Sequence, residues 1–190
     1  MRLMIIGNNN KFLNYGVLFF IIFLFSWWSN PSLDPNINLG DTPGYLTIAK
    51  NFSAPQTKIR PFFFSLIIRF CMNISELNWE KLFSLFQILF HSLICVLIFR
   101  LYLKYNFDKV IAFILTLLIG FNPSIIYWST YLMPDFLLAV LTTLSWLCTI
   151  IFIQKDDKDK QKKFYLILIG IFSGLAVVTK PVSILGIMPL

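Results

Sequence analysis

Charged side chains are what this sequence has least of. Only 13% of its 190 residues are Asp, Glu, Lys or Arg, whereas 57% are hydrophobic; soluble domains carry about 25% charged residues. That deficit excludes an ordinary water-soluble domain and places the chain in lipid. Its single His, His91, and its three cysteines, Cys71, Cys95 and Cys148, lie far apart in or beside apolar runs. This spacing gives neither a metal-ligand set nor paired disulfides, so the cysteines read as packing hydrophobes and His91 as a packed polar residue without a role. No small-residue cleavage site follows the first apolar run, which therefore reads as an uncleaved span rather than a secretory signal. Internal repeats are lacking, and the one biased segment, the Lys/Asp-rich stretch 155–163, reads as a solvated connection. The net charge of +7 is not gathered with exposed aromatics into a patch, which argues against a nucleic-acid partner.

What is present is a series of apolar runs, against a requirement of about 20 residues to cross a bilayer core in a helix. Five qualify: Phe12–Trp28, Trp79–Leu103, Val110–Trp128, Phe136–Ile153, and a run from Phe164 that is still apolar at Leu190. The expected fold is all-α, a single polytopic membrane domain over 1–190 with about five spans. Lys and Arg of the short connections fix the orientation. Arg2, Lys11, Arg100, Lys104, Lys109, Lys155, Lys158, Lys160, Lys162 and Lys163 all fall on one side, which the positive-inside rule makes cytoplasmic. The N-terminus is then cytoplasmic, and residues 29–78 form the first extracytoplasmic loop, with the short Asn122–Pro134 link on the same side.

Within that loop Pro61–Met72 is too short to span and reads as an interfacial or re-entrant helix. Before it, Asp41-Thr42-Pro43-Gly44-Tyr45 opens a second short helix with a capping Asp and an early Pro. Asp41, Tyr45 and Ala49 would share a face of that helix. Asp41 reads equally as an N-cap, since a carboxylate there satisfies free N–H groups. Asp135 reads likewise as the N-cap of the fourth span. Asp34, beside Pro35, reads as part of a turn. Lys180 stands about 16 residues after Phe164, roughly 24 Å along a helix, near the outer leaflet. A charge there either snorkels to the interface or serves a site.

The segment Asp41-x-x-x-Tyr45-x-x-Ala49, followed by Arg60-Pro61-Phe62, resembles the first outer loop of GT-C glycosyltransferases of the protein-mannosyltransferase and aminoarabinose-transferase type. Gly170-x-x-x-Gly174-Leu175-Ala176-x-x-Thr179-Lys180-Pro181 resembles a later segment of the same enzymes. The resemblance implies a glycosyltransferase that takes a sugar from a polyprenyl-phosphate carrier and passes it to an acceptor glycan, lipid or protein on the extracytoplasmic face of a bacterial plasma membrane. It implies Asp41 as the catalytic carboxylate, with Tyr45, Arg60, Asp135 and Lys180 binding substrate and the two cations receiving the departing phosphate. No cofactor follows from the sequence, although a divalent metal is compatible with it. Members of this type have roughly twice as many spans, so the chain is expected to be a fragment. The competing reading is a non-catalytic polytopic protein, part of a transporter or a membrane-assembly subunit, for which the spans and the Gly170-x-x-x-Gly174 packing motif suffice.

Overall fold

The computed structural model describes residues 8–30, 32–33, 35, 41–53, 62–129, 131–156 and 159–180, with side chains described from Asn14 onward except at 128 and 160. Among these the chain forms α1 (Asn8–Ser29), α2 (Thr42–Lys50), α3 (Phe63–Ile74), α4 (Trp79–Lys104), α5 (Lys109–Gly120), α6 (Pro123–Ser129), α7 (Pro134–Gln154) and α8 (Lys160–Thr179). The all-α membrane architecture expected from the apolar runs is the one observed.

Helix lengths decide which elements cross. At 1.5 Å per residue α4, α7 and α8 measure about 39, 31 and 30 Å, against a hydrocarbon core of about 30 Å. These three are long and apolar enough to span. α1 has 22 residues, and its part described at side-chain level, Asn14–Ser29, is apolar but shorter than a full crossing.

The expected third span, Val110–Trp128, is broken. α5 stops at Gly120 after 12 residues, about 18 Å, too short to cross by itself. The cause is local chemistry: Asn122 turns its Oδ1 to the N–H groups of Ser124 and Ile125 and starts a new helix, α6, at Pro123. Proline has no N–H to continue the α5 ladder and suits a first helical position.

Two apolar cores sit at opposite ends of α4. One joins α2 and α3 to the start of α4 through Tyr45, Ala49, Phe64, Ile68, Cys71, Phe83 and Leu132. The other joins α1, α4 and α5 through Leu18, Ile22, Cys95, Phe99 and Ala112. All three cysteines are buried as free thiols, in keeping with a packing role. α3 buries Phe64, Ile68 and Cys71 on one face and exposes Leu66, Phe70 and Ile74 on the other. That outward face also carries Arg69 and Asn73, and a helix with polar groups among its outward apolar ones suits the interfacial position expected for it.

In the second core Gly120 lies where a helix backbone meets Ile22. A Cβ at Gly120 would stand 2.8 Å from two carbons of the Ile22 side chain, which is fully buried. The Gly120 carbonyl also meets His91 Nε2 at 3.0 Å, giving that ring the packed polar role expected for it. Gly120→Ala is therefore expected to cost about 1–3 kcal/mol by overpacking, read as a lower thermal midpoint of the purified protein. Gly16→Ala, at a helical position with open space around it, should leave the midpoint unchanged or raise it slightly. Equal loss in both variants would show that the Ile22 contact carries no weight.

α7 and α8 form an antiparallel hairpin. Ser145 and Ser173 hydroxyls meet at 2.8 Å between them. At the connection Lys155 donates to Asp159 at 2.7 Å, and Asp159 also accepts from the Gln161 N–H. Hydrogen bonding to Asp159 holds the Lys155 ammonium above its ordinary range, and the same bond, with that of Gln161, holds the Asp159 carboxyl below its own. Close helix approach at Gly170 and Gly174 is not made: no helix among the described residues comes within 4 Å of a Cβ placed at either. The outer face of α8, with Leu166, Ile167 and Ile171 exposed, is apolar instead.

Candidate functional site

The structure brings two of the expected site residues together. Lys180 is the C-cap of α8, and its Nζ donates to Asp135 Oδ1 at 2.6 Å. Both side chains keep about a third of their surface exposed, at 37% and 36%. Lys180 therefore does not simply snorkel; it is held by a carboxylate 45 residues away in the chain. Asp135 is not the N-cap of α7, which corrects its simpler reading. Met133 holds the cap position and Pro134 the first helical one, so Asp135 falls in the first turn with its side chain turned toward α8. A carboxylate there also suits the positive end of the α7 dipole.

The segment leading to Asp135 is fastened from two further directions. Gln87 of α4 donates through Nε2 to the Tyr131 carbonyl at 3.2 Å, and Thr42 of α2 donates through its hydroxyl to the Leu132 carbonyl at 3.0 Å. Thr42 is fully buried and follows Asp41 directly. The start of α2 thus docks on the same short link that starts α7, and Asp41 is carried to that end of the bundle.

Asp41 occupies the N-cap position of α2 but makes no side-chain cap bond, so the capping role is not taken up by its carboxylate. It is exposed. Tyr45, the expected substrate-binding residue of α2, lies in the core at 4% exposure, its ring edge-on to Phe64 at 5.2 Å. Its carbonyl accepts from Ser65, tying α2 to α3. In this arrangement Tyr45 fixes the attitude of α2 rather than facing outward. Arg60 and Asp34 lie outside the described residues.

Sequence reading passed over several polar groups here. Ser84, Gln87 and His91 line one buried face of α4 at spacings of three and four, and Ser84 Oγ and Gln87 Oε1 have no hydrogen-bond partner among the described residues. That spacing was a signal, since a polar stripe in an apolar span marks a side turned toward protein. Arg69 of α3, 4.9 Å from the centroid of the Phe52 ring, is a further cation of the segment that carries α2 and α3. No group of three or more His, Cys, Asp or Glu able to hold a metal occurs among the described residues.

Apolar helices of bilayer length, short helices docked across one end, and a Lys–Asp pair at that end define a polytopic membrane protein with a charged site at one interface. Residues 74–190 match the sequence model of the family described as dolichyl-phosphate-mannose-protein mannosyltransferase, and the chain belongs to that family. It is thus a membrane glycosyltransferase of the GT-C type, a family whose membership implies a lipid-linked sugar donor. The match contains Asp135 and Lys180 but not Asp41, Tyr45 or Arg60. No curated protein and no solved structure matches the chain.

Proposed function

We propose that this protein moves a sugar from a polyprenyl-phosphate carrier to an acceptor on the extracytoplasmic face of the membrane, with Asp41 as the catalytic carboxylate. The acceptor hydroxyl attacks the anomeric carbon while Asp41 takes its proton or orients it. The bond from that carbon to the phosphate oxygen breaks, and the carrier leaves as polyprenyl phosphate with inversion at the sugar. Lys180, with Arg60, meets the charge that gathers on the phosphate. Asp135 acts as a positioning residue, holding the Lys180 ammonium where the phosphate arrives, and Tyr45 sets α2 by packing.

The observation that carries this reading is the Lys180–Asp135 ion pair on a link that also receives α2 through Thr42. It supports the reading by bringing an ammonium to the end of the bundle that carries Asp41, where a leaving phosphate would call for one. A transport path would call for ionisable groups near the midplane. Here the pair stands at the ends of α7 and α8.

Sidedness provides the test. Thr47 is exposed on α2 and the three native cysteines are buried. A Thr47→Cys variant should react with a membrane-impermeant thiol reagent in intact cells, and dolichyl-phosphate-mannose should support transfer in vesicles only with this face accessible to acceptor. Labelling that required lysis would overturn the extracytoplasmic assignment, and absence of transfer in either orientation would remove the carrier-dependent reaction.

A further inference from the structure

The end of the bundle opposite Asp135 and Lys180 holds a cavity of about 920 Å³ between the α1–α4–α5 group and the α7–α8 hairpin. Its rim carries four cations from three parts of the chain: Arg100 and Lys104 of α4, Lys109 of α5, and Lys155 after α7. Carboxylates act on one of these cations, Lys155, through its bond to Asp159 and the neighbouring charge of Asp156. Asp108 caps α5 by accepting from Val110 and Ile111 N–H, and Asp159 is paired with Lys155. Arg100, Lys104 and Lys109 have no carboxylate within ion-pair distance among the described residues. Below the rim the walls become aliphatic, with Leu97, Leu144 and Ile151 among them.

A cationic mouth over an aliphatic wall, between helices and at membrane-interface height, is the shape of an amphiphile with an anionic head. A phosphodiester would sit among the guanidinium and ammonium groups, where arginine can offer two parallel N–H bonds. The glycerol backbone and the first methylenes of an acyl chain would lie along the leucine wall, in a volume too large for a phosphate alone. Basic pockets between spans on the cytoplasmic side suit such head groups. This is also the end where Lys and Arg collect. The donor phosphate proposed above belongs roughly a full helix length away, because Lys155 and Asp135 stand at opposite ends of α7.

We infer that the Arg100–Lys104–Lys109–Lys155 cavity binds the head group of an anionic glycerophospholipid of the surrounding leaflet, which joins α7 and α8 to the α1–α4–α5 group. The site does not depend on the transfer reaction or on the identity of its donor.

Native mass spectrometry of the purified protein with equimolar phosphatidylglycerol and phosphatidylcholine tests it. One phosphatidylglycerol should be retained in clear preference. Arg100→Gln/Lys104→Gln/Lys109→Gln should lower that retention about tenfold. Lys162→Gln/Lys163→Gln, which removes charge at the same end but outside the cavity lining, should change it less than twofold. Ile151→Trp, which narrows the aliphatic wall and leaves every cation in place, should also lower retention, so a folding failure of the triple variant would not spare the proposal. Equal retention of the two lipids, equal loss in the control pair, or full retention by Ile151→Trp would each overturn it. Displacement of the lipid by millimolar glycerol 3-phosphate would assign the site to a free phosphate ester and overturn the lipid assignment.

Discussion

Replacing Asp41 by Asn is expected to lower sugar transfer by about 10²-fold or more while the amount of protein in the membrane stays the same. The substitution keeps the shape of the side chain and removes its capacity to accept a proton. It also leaves α2 intact for reasons visible in the fold. The Asp41 carboxylate makes no cap bond, and α2 is held by Thr42, the Ser65–Tyr45 bond and the packing of Tyr45 and Ala49. Asn is in any case as good an N-cap as Asp. The measurement is transfer from dolichyl-phosphate-mannose in membranes of matched protein content, and transfer at the normal rate would remove Asp41 from the mechanism.

The second large effect concerns Lys180 and Asp135. Lys180→Met leaves Asp135 without its ammonium partner at a partly buried interface, where an orphaned carboxylate costs more than the pair contributed. Donor-lipid affinity is expected to fall about tenfold or more, the scale of one charge-assisted phosphate contact. The informative variant is the exchange Asp135→Lys/Lys180→Asp. It rebuilds an ion pair across the hairpin and should recover thermal stability, but it places a carboxylate where the phosphate needs a cation. Stability restored with donor affinity still lost is the expected result. Recovery of both would reduce the pair to a helix fastener and return Lys180 to structure alone.

The spans α4, α7 and α8 were legible because a bilayer imposes a length on apolar runs; the bounds of α4 and α7 and the start of α8 fall within a few residues of the runs, while α8 ends at Thr179 where the run was expected to continue toward Leu190. The break at 121–122 was read only in part: Asn122–Pro134 was taken as a link, in line with the turn signal of Asn122-Pro123, yet the third span was carried across it to Trp128. Hydropathy stays high across it through Phe121, Ile125 and Ile126, and it masks a change in hydrogen bonding. Asp135 and Lys180 each stood out as charges beside apolar runs. Their meeting could not be read, because it depends on how α7 and α8 fold back on each other. For Tyr45 helical spacing gave its place beside Asp41 but not its packing, since burial of the ring against Phe64 depends on how α3 docks on α2. The polar stripe Ser84, Gln87 and His91 was present in the sequence at helical spacing, and only its histidine was noticed.

The hairpin also acts as a gauge for the cation at its end. The Ser145–Ser173 contact and the Lys180–Asp135 pair are separated by ten residues on α7 and by seven on α8. Those intervals rise about 15 Å and 10.5 Å, which leaves the end of α8 about 4.5 Å short of the carboxylate level. The aminobutyl arm of lysine closes that gap. A stubbier basic residue at 180 would keep its sign yet strand it below its mate, so reach as well as charge selects what can stand there.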